Sequence, residues 1–156
     1  MTTFTEMGQE FLAQKRIAVA GVSRSPQNTA NAIYRKLRDA GYEVFPVNPN
    51  ADEVEGDRCF ASMTAIPGHL DGALLITRPE STDQLVRDCA AAGVPRVWMH
   101  ENAFFKSGTS VSEDAAAFCR ENGISVIAGG CPMMFFDVGH KCMRWMFRVM
   151  GKLPNE

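Results

Sequence analysis

The stretch Arg16-Ile-Ala-Val-Ala-Gly21 decides the fold that this sequence predicts. It is a short, continuous apolar run that ends at a glycine, and such runs are typical of parallel strands buried on both faces. A helical pattern follows at residues 28–40 and ends at Gly41, and the next apolar run is Tyr42-Glu-Val-Phe-Pro-Val47. Strand, helix and strand in this order predict a parallel βαβ unit.

The same alternation continues along the rest of the chain. Further strands are predicted at 72–76, 96–99 and 124–127, and further helices at 5–14, 81–92, 110–122 and 137–150. The predicted N-caps of the first three of these helices are Thr5, Ser81 or Thr82, and Ser110. The pattern predicts an α/β fold, a single doubly wound, Rossmann-like parallel sheet of about five strands with helices on both faces.

Length and composition indicate one soluble globular domain. The 156 residues suit a single domain spanning 1–156, with its core at about 15–136 and a C-terminal helix at about 137–150. The net charge of −2 argues against a nucleic-acid partner, and no apolar run is long enough for a membrane span. The acidic N-terminus does not resemble a secretory signal.

The five cysteines indicate reduced thiols and a cytoplasmic location. They stand at 59, 89, 119, 131 and 142, and no two have the spacing of a zinc site or a redox pair. The cysteines at 89, 119 and 142 are predicted to lie on the apolar faces of helices. The sequence shows no catalytic or metal-ligating motif, and whether the protein catalyses a reaction is left open.

A ligand of such a sheet binds outside the carboxyl ends of its strands. The first of these ends carries Gly21, Val22, Ser23 and Arg24, which suit a phosphate because the glycine permits close approach and a helix N-terminus follows. The glycine pattern of dinucleotide enzymes is incomplete here, since position 23 is serine. An ordinary polar turn remains the alternative for this loop.

The end of the second strand argues against NAD. Val47, Asn48 and Pro49 follow one another there, and no carboxylate comes before Asp52 to hold a ribose hydroxyl. This favours a phosphorylated ribose or a different nucleotide. After the third strand, Thr77, Arg78 and Pro79 face the same crevice, where the arginine suits a diphosphate or a 3′-phosphate.

Taken together, these segments resemble the small stand-alone CoA-binding domain proteins, which are similar to the CoA-binding domain of succinyl-CoA synthetase α subunits. The resemblance runs from about Lys15 to about Phe136. The segments that carry it are Ile17–Ser23, Gly41–Pro49, Ile66-Pro67 with Leu70-Asp71, Thr77–Glu80, Val97–Met99 and Cys131-Pro132.

The resemblance implies that coenzyme A is the ligand and that each of these segments contacts a different part of it. Gly21–Arg24 would hold phosphates, and Val47–Pro49 would border the adenosine. Thr77–Pro79 would line the crevice around the pantetheine or the diphosphate. Trp98–Asn102, including Met99, would approach the far end of the ligand.

Three functions remain open at this point. The first is binding of CoA or an acyl-CoA by a carrier, sensor or accessory protein. The second is an NADP-linked oxidoreductase or redox sensor, and the third is an interaction module that kept a Rossmann scaffold without a ligand.

Several other side chains are assigned structural roles. His69, His100 and His140 are predicted to lie at the surface or at caps. Cys131 is predicted to be part of a plain turn, and the alternative is a thiol that forms a mixed disulfide with CoA or carries a transient acyl group.

The last helix has a predicted core face and a basic stripe. The core face consists of Val138, Cys142, Trp145, Met146 and Val149, and the stripe consists of Lys141, Arg144, Arg148 and Lys152. Met143, Phe147 and Met150 widen the apolar arc. This width predicts a homodimer or a partner protein bound through the helix.

Overall fold

The predicted strands form one parallel sheet, in which the strands at 43–47, 16–20, 72–75, 96–99 and 125–128 lie side by side in that order. The computed structural model describes residues 2–102, 108–136 and 138–154, apart from the side chains of 138–140 and 143. The five strands are β1 (Arg16–Ala20), β2 (Glu43–Val47), β5 (Gly72–Leu75), β6 (Arg96–Met99) and β7 (Ser125–Ala128). Strand β1 pairs Ile17 with Val44 of β2 on one side and with Gly72 of β5 on the other. The sheet confirms the predicted fold class.

Among the described residues, five α-helices and a short 3₁₀ helix connect and cover these strands. The helices are α1 (Phe4–Leu12), α2 (Thr29–Asp39), α3 (Pro79–Ala91), α4 (Glu113–Glu121) and α5 (Val138–Val149), with the 3₁₀ helix at Pro132–Phe135. No helix in the described part of the chain is long and apolar enough to cross a membrane.

Successive residues of each strand pack against opposite layers of helices. On one face, Ala18 and Ala20 of β1 join the cluster that contains the buried side chains of α3 and α4. On the other, Ile17 and Val19 join the cluster of α1, α2 and Phe147 of α5. The alternation is that of side chains along a strand, and it makes the sheet doubly wound.

Trp98 of β6 is the centre of the second cluster. Its ring is fully buried and meets the rings of Phe4, Phe11 and Phe135 edge to face at centroid distances of 5.5–5.9 Å. The indole N–H donates to the carbonyl oxygen of Gly129 at 3.0 Å. The hydrogen bond lets a polar ring atom enter the core without an unpaired donor.

Three helices begin at residues other than the predicted ones. The N-cap of α1 is Thr3 rather than Thr5, because Thr3 and Glu6 form a reciprocal capping box. The helix α3 begins at Pro79, and its N-cap is Arg78 rather than Ser81 or Thr82. Proline suits the first helical position because the N–H group that it lacks would have no partner within the helix there. The cap of α4 is Ser112 rather than Ser110, and its side chain accepts from the Ala115 amide.

The irregular connection at 48–70 contains a small hairpin that the sequence did not reveal. Its strands are β3 (Glu53–Val54) and β4 (Asp57–Arg58). Polar contacts join the hairpin to α2. Arg35 pairs with Glu55 at 2.7 Å, and both Arg38 and Tyr34 reach Asp57 at 2.7 Å.

The face of the last helix that was predicted to enter the core is exposed instead, so this prediction is wrong. Trp145 is 65% exposed and Val149 is 69% exposed, and Cys142 and Met146 are also exposed. Phe147 is the residue that enters the core instead. One reason for this phase is that the 3₁₀ helix leads into α5, and Arg144 lies 4.3 Å above the Phe135 ring. The side chain of Val138 is outside the described residues.

Candidate functional site

Two adjoining cavities open at the carboxyl edge of the sheet, between β1 and β5. The chain leaves β1 toward α2 on one face and leaves β5 toward α3 on the other, so this is the switch point of the sheet. The first cavity, here the Asn48 cavity, has a volume of about 730 Å³. The second, here the Arg78 cavity, has a volume of about 560 Å³. Gly21, Thr77 and Ser81 line both.

The two cavities differ in the strands they cover. The Asn48 cavity is bordered by the end of β2 and by α3, and its lining includes Val47, Asn48, Pro49, Asn50, Glu80, Gln84 and Asp88. The Arg78 cavity extends toward β6, and its lining includes Asn28, Thr29, Arg78, Pro79, His100 and Ser110.

Most of the predicted binding residues meet at these cavities. Those that line one or both are Gly21, Val47, Asn48, Pro49, Thr77, Arg78 and Pro79. The others lie elsewhere. Val22 and Met99 are fully buried in the core, and Ser23 and the exposed Arg24 line neither cavity.

The β1–α2 loop is held by Asn31, a buried residue of α2. The Asn31 side chain accepts from the Ser23 amide at 2.9 Å and donates to the Ser23 carbonyl at 2.7 Å. The Ser25 amide donates to the Ser23 hydroxyl, and the Gly21 amide to the Val47 carbonyl. Because these three amides already have acceptors within the protein, the loop is a fixed wall rather than an open ring of donors.

Asn48 connects the ends of β1 and β2. Its side-chain amide donates to the Val22 carbonyl at 3.0 Å, and its side-chain oxygen accepts from the Asn50 amide at 2.9 Å. The sequence singled out this residue as the end of the strand. The structure shows that it also fixes the shape of the Asn48 cavity, since it joins both of the loops that border it.

Gly21 is required by the fold at the junction of the two cavities. Its φ angle is +103°, and a Cβ atom built there would lie 2.0 Å from the Ile76 carbonyl oxygen. An L-residue would therefore collide with the end of β5 before it met any ligand. A substitution at Gly21 would disturb the fold, so a loss of binding in that variant would not locate the ligand.

Charge is distributed unequally between the cavities. The Arg78 cavity contains the exposed Arg78 and the N-termini of α2 and α3, which both favour an anion. The Asn48 cavity contains the carboxylates of Glu80 and Asp88. The sequence has no acid directly after β2, but α3 brings two acids to the same place, which no local pattern predicted.

His100 was predicted at the surface or at a cap, and this prediction is wrong. It follows β6, is only 3% exposed, and lines the Arg78 cavity. Burial lowers the pKa of its imidazole to about 4. His69 lies at the surface as predicted, 3.4 Å from Asp71, and the side chain of His140 is outside the described residues.

Cys131 packs against the hydrophobic core and lines neither cavity. Burial raises the pKa of its thiol to about 11, more than the hydrogen bond from the Met133 amide lowers it. A thiol in this state is protonated at neutral pH and is a poor nucleophile. The structure therefore favours the plain structural turn over a mixed disulfide.

Comparison with known proteins identifies relatives over most of the chain. The family model described as "CoA binding domain" matches residues 15–137. The uncharacterized protein YneT of Bacillus subtilis is 32% identical over 117 residues, which is 75% of this chain and 82% of that protein. A hypothetical protein of Pyrococcus horikoshii OT3 has a similar structure, with a TM-score of 0.73, 31% identity, and coverage of 81% of this chain and 84% of that one.

A third relative is much longer than this chain. The α subunit of acetate–CoA ligase (ADP-forming) II of Pyrococcus furiosus is 26% identical over 125 residues. The match covers 78% of this chain but only 27% of the ligase subunit. The similarity therefore concerns one part of that subunit.

Proposed function

Because this chain belongs to the family of CoA binding domains, we propose that it binds coenzyme A or an acyl-CoA across the Asn48 and Arg78 cavities. The observation that carries the proposal is the junction of the two cavities at the switch point, with opposite charge on either side of it. We propose further that the protein acts as a carrier, sensor or accessory protein.

The adenosine fits the Asn48 cavity. Pro49, at the end of β2, gives a stiff apolar edge for a flat ring, and Glu80 and Asp88 are acceptors for an amino group. Carboxylates repel phosphates, so the 5′-diphosphate is better placed beyond Gly21, Thr77 and Ser81, on the other side of the junction. The 3′-phosphate on the ribose must likewise point away from Glu80 and Asp88.

The diphosphate fits the near end of the Arg78 cavity. The N-termini of α2 and α3 converge there with the Arg78 guanidinium, and a diphosphate is the part of CoA that carries the most concentrated charge. In this arrangement Arg78 makes the main phosphate contact, with Gly21 as the close wall. The remaining arm of the ligand then extends toward β6.

We propose that the protein works in the cytoplasm. Support comes from the cysteines at 59, 89, 119, 131 and 142, which are all free thiols. Free thiols are usual in a reducing compartment.

The proposal is tested by replacing the arginine of the Arg78 cavity. Arg78→Ala should weaken CoA binding by about 1–3 kcal/mol, since a charge-assisted hydrogen bond to phosphate is lost. Titration calorimetry of CoA into the wild type and the variant measures this difference. Arg120→Ala on α4 is the matched control, because Arg120 is exposed and lines neither cavity.

The same titration decides the part played by Arg24. The sequence predicts a comparable loss for Arg24→Ala, whereas its position outside both cavities leads us to expect a smaller one. Wild-type affinity in Arg78→Ala, together with a loss in Arg24→Ala, would place the phosphates on the β1–α2 loop and contradict the arrangement proposed above.

A further inference from the structure

His100 belongs to the wall of the Arg78 cavity. The residue is 3% exposed, and none of the described residues forms a hydrogen bond with its ring. In the described part of the chain, no fully enclosed side-chain nitrogen lacks a partner. The ring nitrogens therefore keep some accessible surface, and the cavity is the space that the residue borders. Buried polar groups are nearly always hydrogen-bonded, and an unpaired ring in a cavity wall therefore indicates a ligand group opposite it.

The backbone of His100 is fixed on both sides. Its amide donates to the Leu75 carbonyl of β5 at 2.9 Å, and its carbonyl accepts from the Ser110 amide at 2.7 Å. Ser110 is itself held, because its hydroxyl oxygen accepts from the Thr77 amide. The ring therefore projects from a rigid wall, as a recognition residue requires.

The position of His100 in the sheet determines which part of the ligand its side chain can contact. In the sheet, β6 is the third strand along from β2, and three strand spacings amount to about 14 Å. This step rests on the proposed function, which puts the adenosine at β2 and the diphosphate between β1 and β5. A ligand laid out in this direction brings its arm, rather than its nucleotide, to β6.

The chemistry of the ring also suits the arm. Burial holds the pKa of His100 at about 4, so the imidazole is neutral at neutral pH and has one donor and one acceptor. The charged Arg78 is the better partner for phosphate. The pantetheine arm is neutral, and it consists of amides that end in a thiol or a thioester.

We infer that His100 recognises the neutral arm of the ligand through a hydrogen bond between its imidazole and an amide or thioester group. His100 is thus a specificity-determining residue that distinguishes CoA from the bare nucleotide. Ser110 and Thr77 position it through the hydrogen bonds that hold its wall of the cavity.

The test compares two ligands that differ only in the arm. CoA and 3′-phosphoadenosine 5′-diphosphate, which lacks pantetheine, are titrated into the wild type, His100→Leu and His100→Gln. His100→Leu should weaken CoA binding about ten-fold and leave the affinity for the bare nucleotide unchanged. His100→Gln keeps a donor and an acceptor and should retain most of the affinity for CoA.

The outcomes separate this inference from the proposed function. If the wild type binds both ligands and His100→Leu binds CoA normally, the inference is wrong and the proposed function stands. Equal losses for both ligands in His100→Leu would also overturn it, since the arm would then not be the group recognised. If the wild type binds neither ligand, the proposed function itself fails. Binding of the bare nucleotide by His100→Leu shows that the variant is folded.

Discussion

Asp71 shows how one carboxylate fixes the start of β1. Its Oδ2 oxygen accepts from the amides of Arg16 at 2.9 Å and Lys15 at 3.2 Å, so it holds β1 beside the start of β5. The hydrogen bond from the Arg16 amide lowers the pKa of Asp71, and together with that from Lys15 it outweighs the opposing effect of burial. The charged form is therefore favoured by folding.

The pH dependence of Asp71→Asn follows from this direction. A pKa below the unfolded value of about 3.9 means that the carboxylate contributes stability above that pH and loses it as the pH falls toward the folded pKa. Asp71→Asn should unfold about 1 kcal/mol more easily at pH 7, and the difference from wild type should shrink below about pH 4. Urea unfolding at several pH values measures it.

A matched variant separates this effect from a general loss of charge. Asp52→Asn removes a carboxylate from an exposed position and should leave the free energy of unfolding nearly unchanged. A deficit in Asp71→Asn that stays constant from pH 7 to pH 3.5 would show that ionisation of Asp71 does not contribute.

Single residues were the hardest features to predict from the sequence. The prediction missed the caps Thr3 and Ser112 and the burial of His100, although it found the helices and the strand next to these residues. Thr3 caps α1 through the nearby Glu6. In contrast, Ser112 also bonds Asp83 across 29 positions and the His100 amide bonds Leu75, which are partners distant in the chain. A local pattern contains no signal for such contacts.

At the scale of elements, α5 is the helix whose phase was predicted wrongly. The apolar residues of α5 occupy a wide arc of the helix, and the sequence alone could not show which part of this arc would pack against the core. The face chosen by the structure contains Phe147, while Trp145 and Val149 stay exposed. The strands were easier, because each is a continuous apolar run bounded by glycine or polar residues.

Alanine variants distinguish the two faces of α5. Phe147→Ala should cost about 3 kcal/mol of stability, since it removes a buried ring. Trp145→Ala should change the free energy of unfolding by less than about 0.5 kcal/mol, since the side chain is largely solvent-exposed. Thermal or urea unfolding of both variants gives the comparison.

The same pair of variants bears on the predicted homodimer. A large loss of stability in Trp145→Ala, with a fall in molecular mass by light scattering, would mean that another copy covers the exposed face of α5 in solution. Equal destabilisation by the two variants without a change in mass would contradict the phase of the helix described above.

The hairpin of β3 and β4 is too short to be predicted from a sequence pattern. Each strand has two residues, too few for any periodicity. The hairpin owes its position to ion pairs with Arg35 and Arg38 of α2. Such pairing becomes visible only once the helix and the connection are placed together.

For the whole molecule, the fold was predictable because five apolar runs alternate with helices. The location of the candidate site was predictable for the same reason, since the carboxyl ends of parallel strands share one edge. The division of the site into two cavities of different charge was not. It depends on the start of α3, where the N-cap residue Arg78 lies on one side and Glu80 of the first turn on the other.

Titration calorimetry of the wild-type protein with CoA and with NADP shows whether this edge of the sheet binds CoA. We expect saturable binding of CoA at one site per chain and no heat of binding with NADP. Saturable binding of NADP, with no response to CoA, would contradict this expectation.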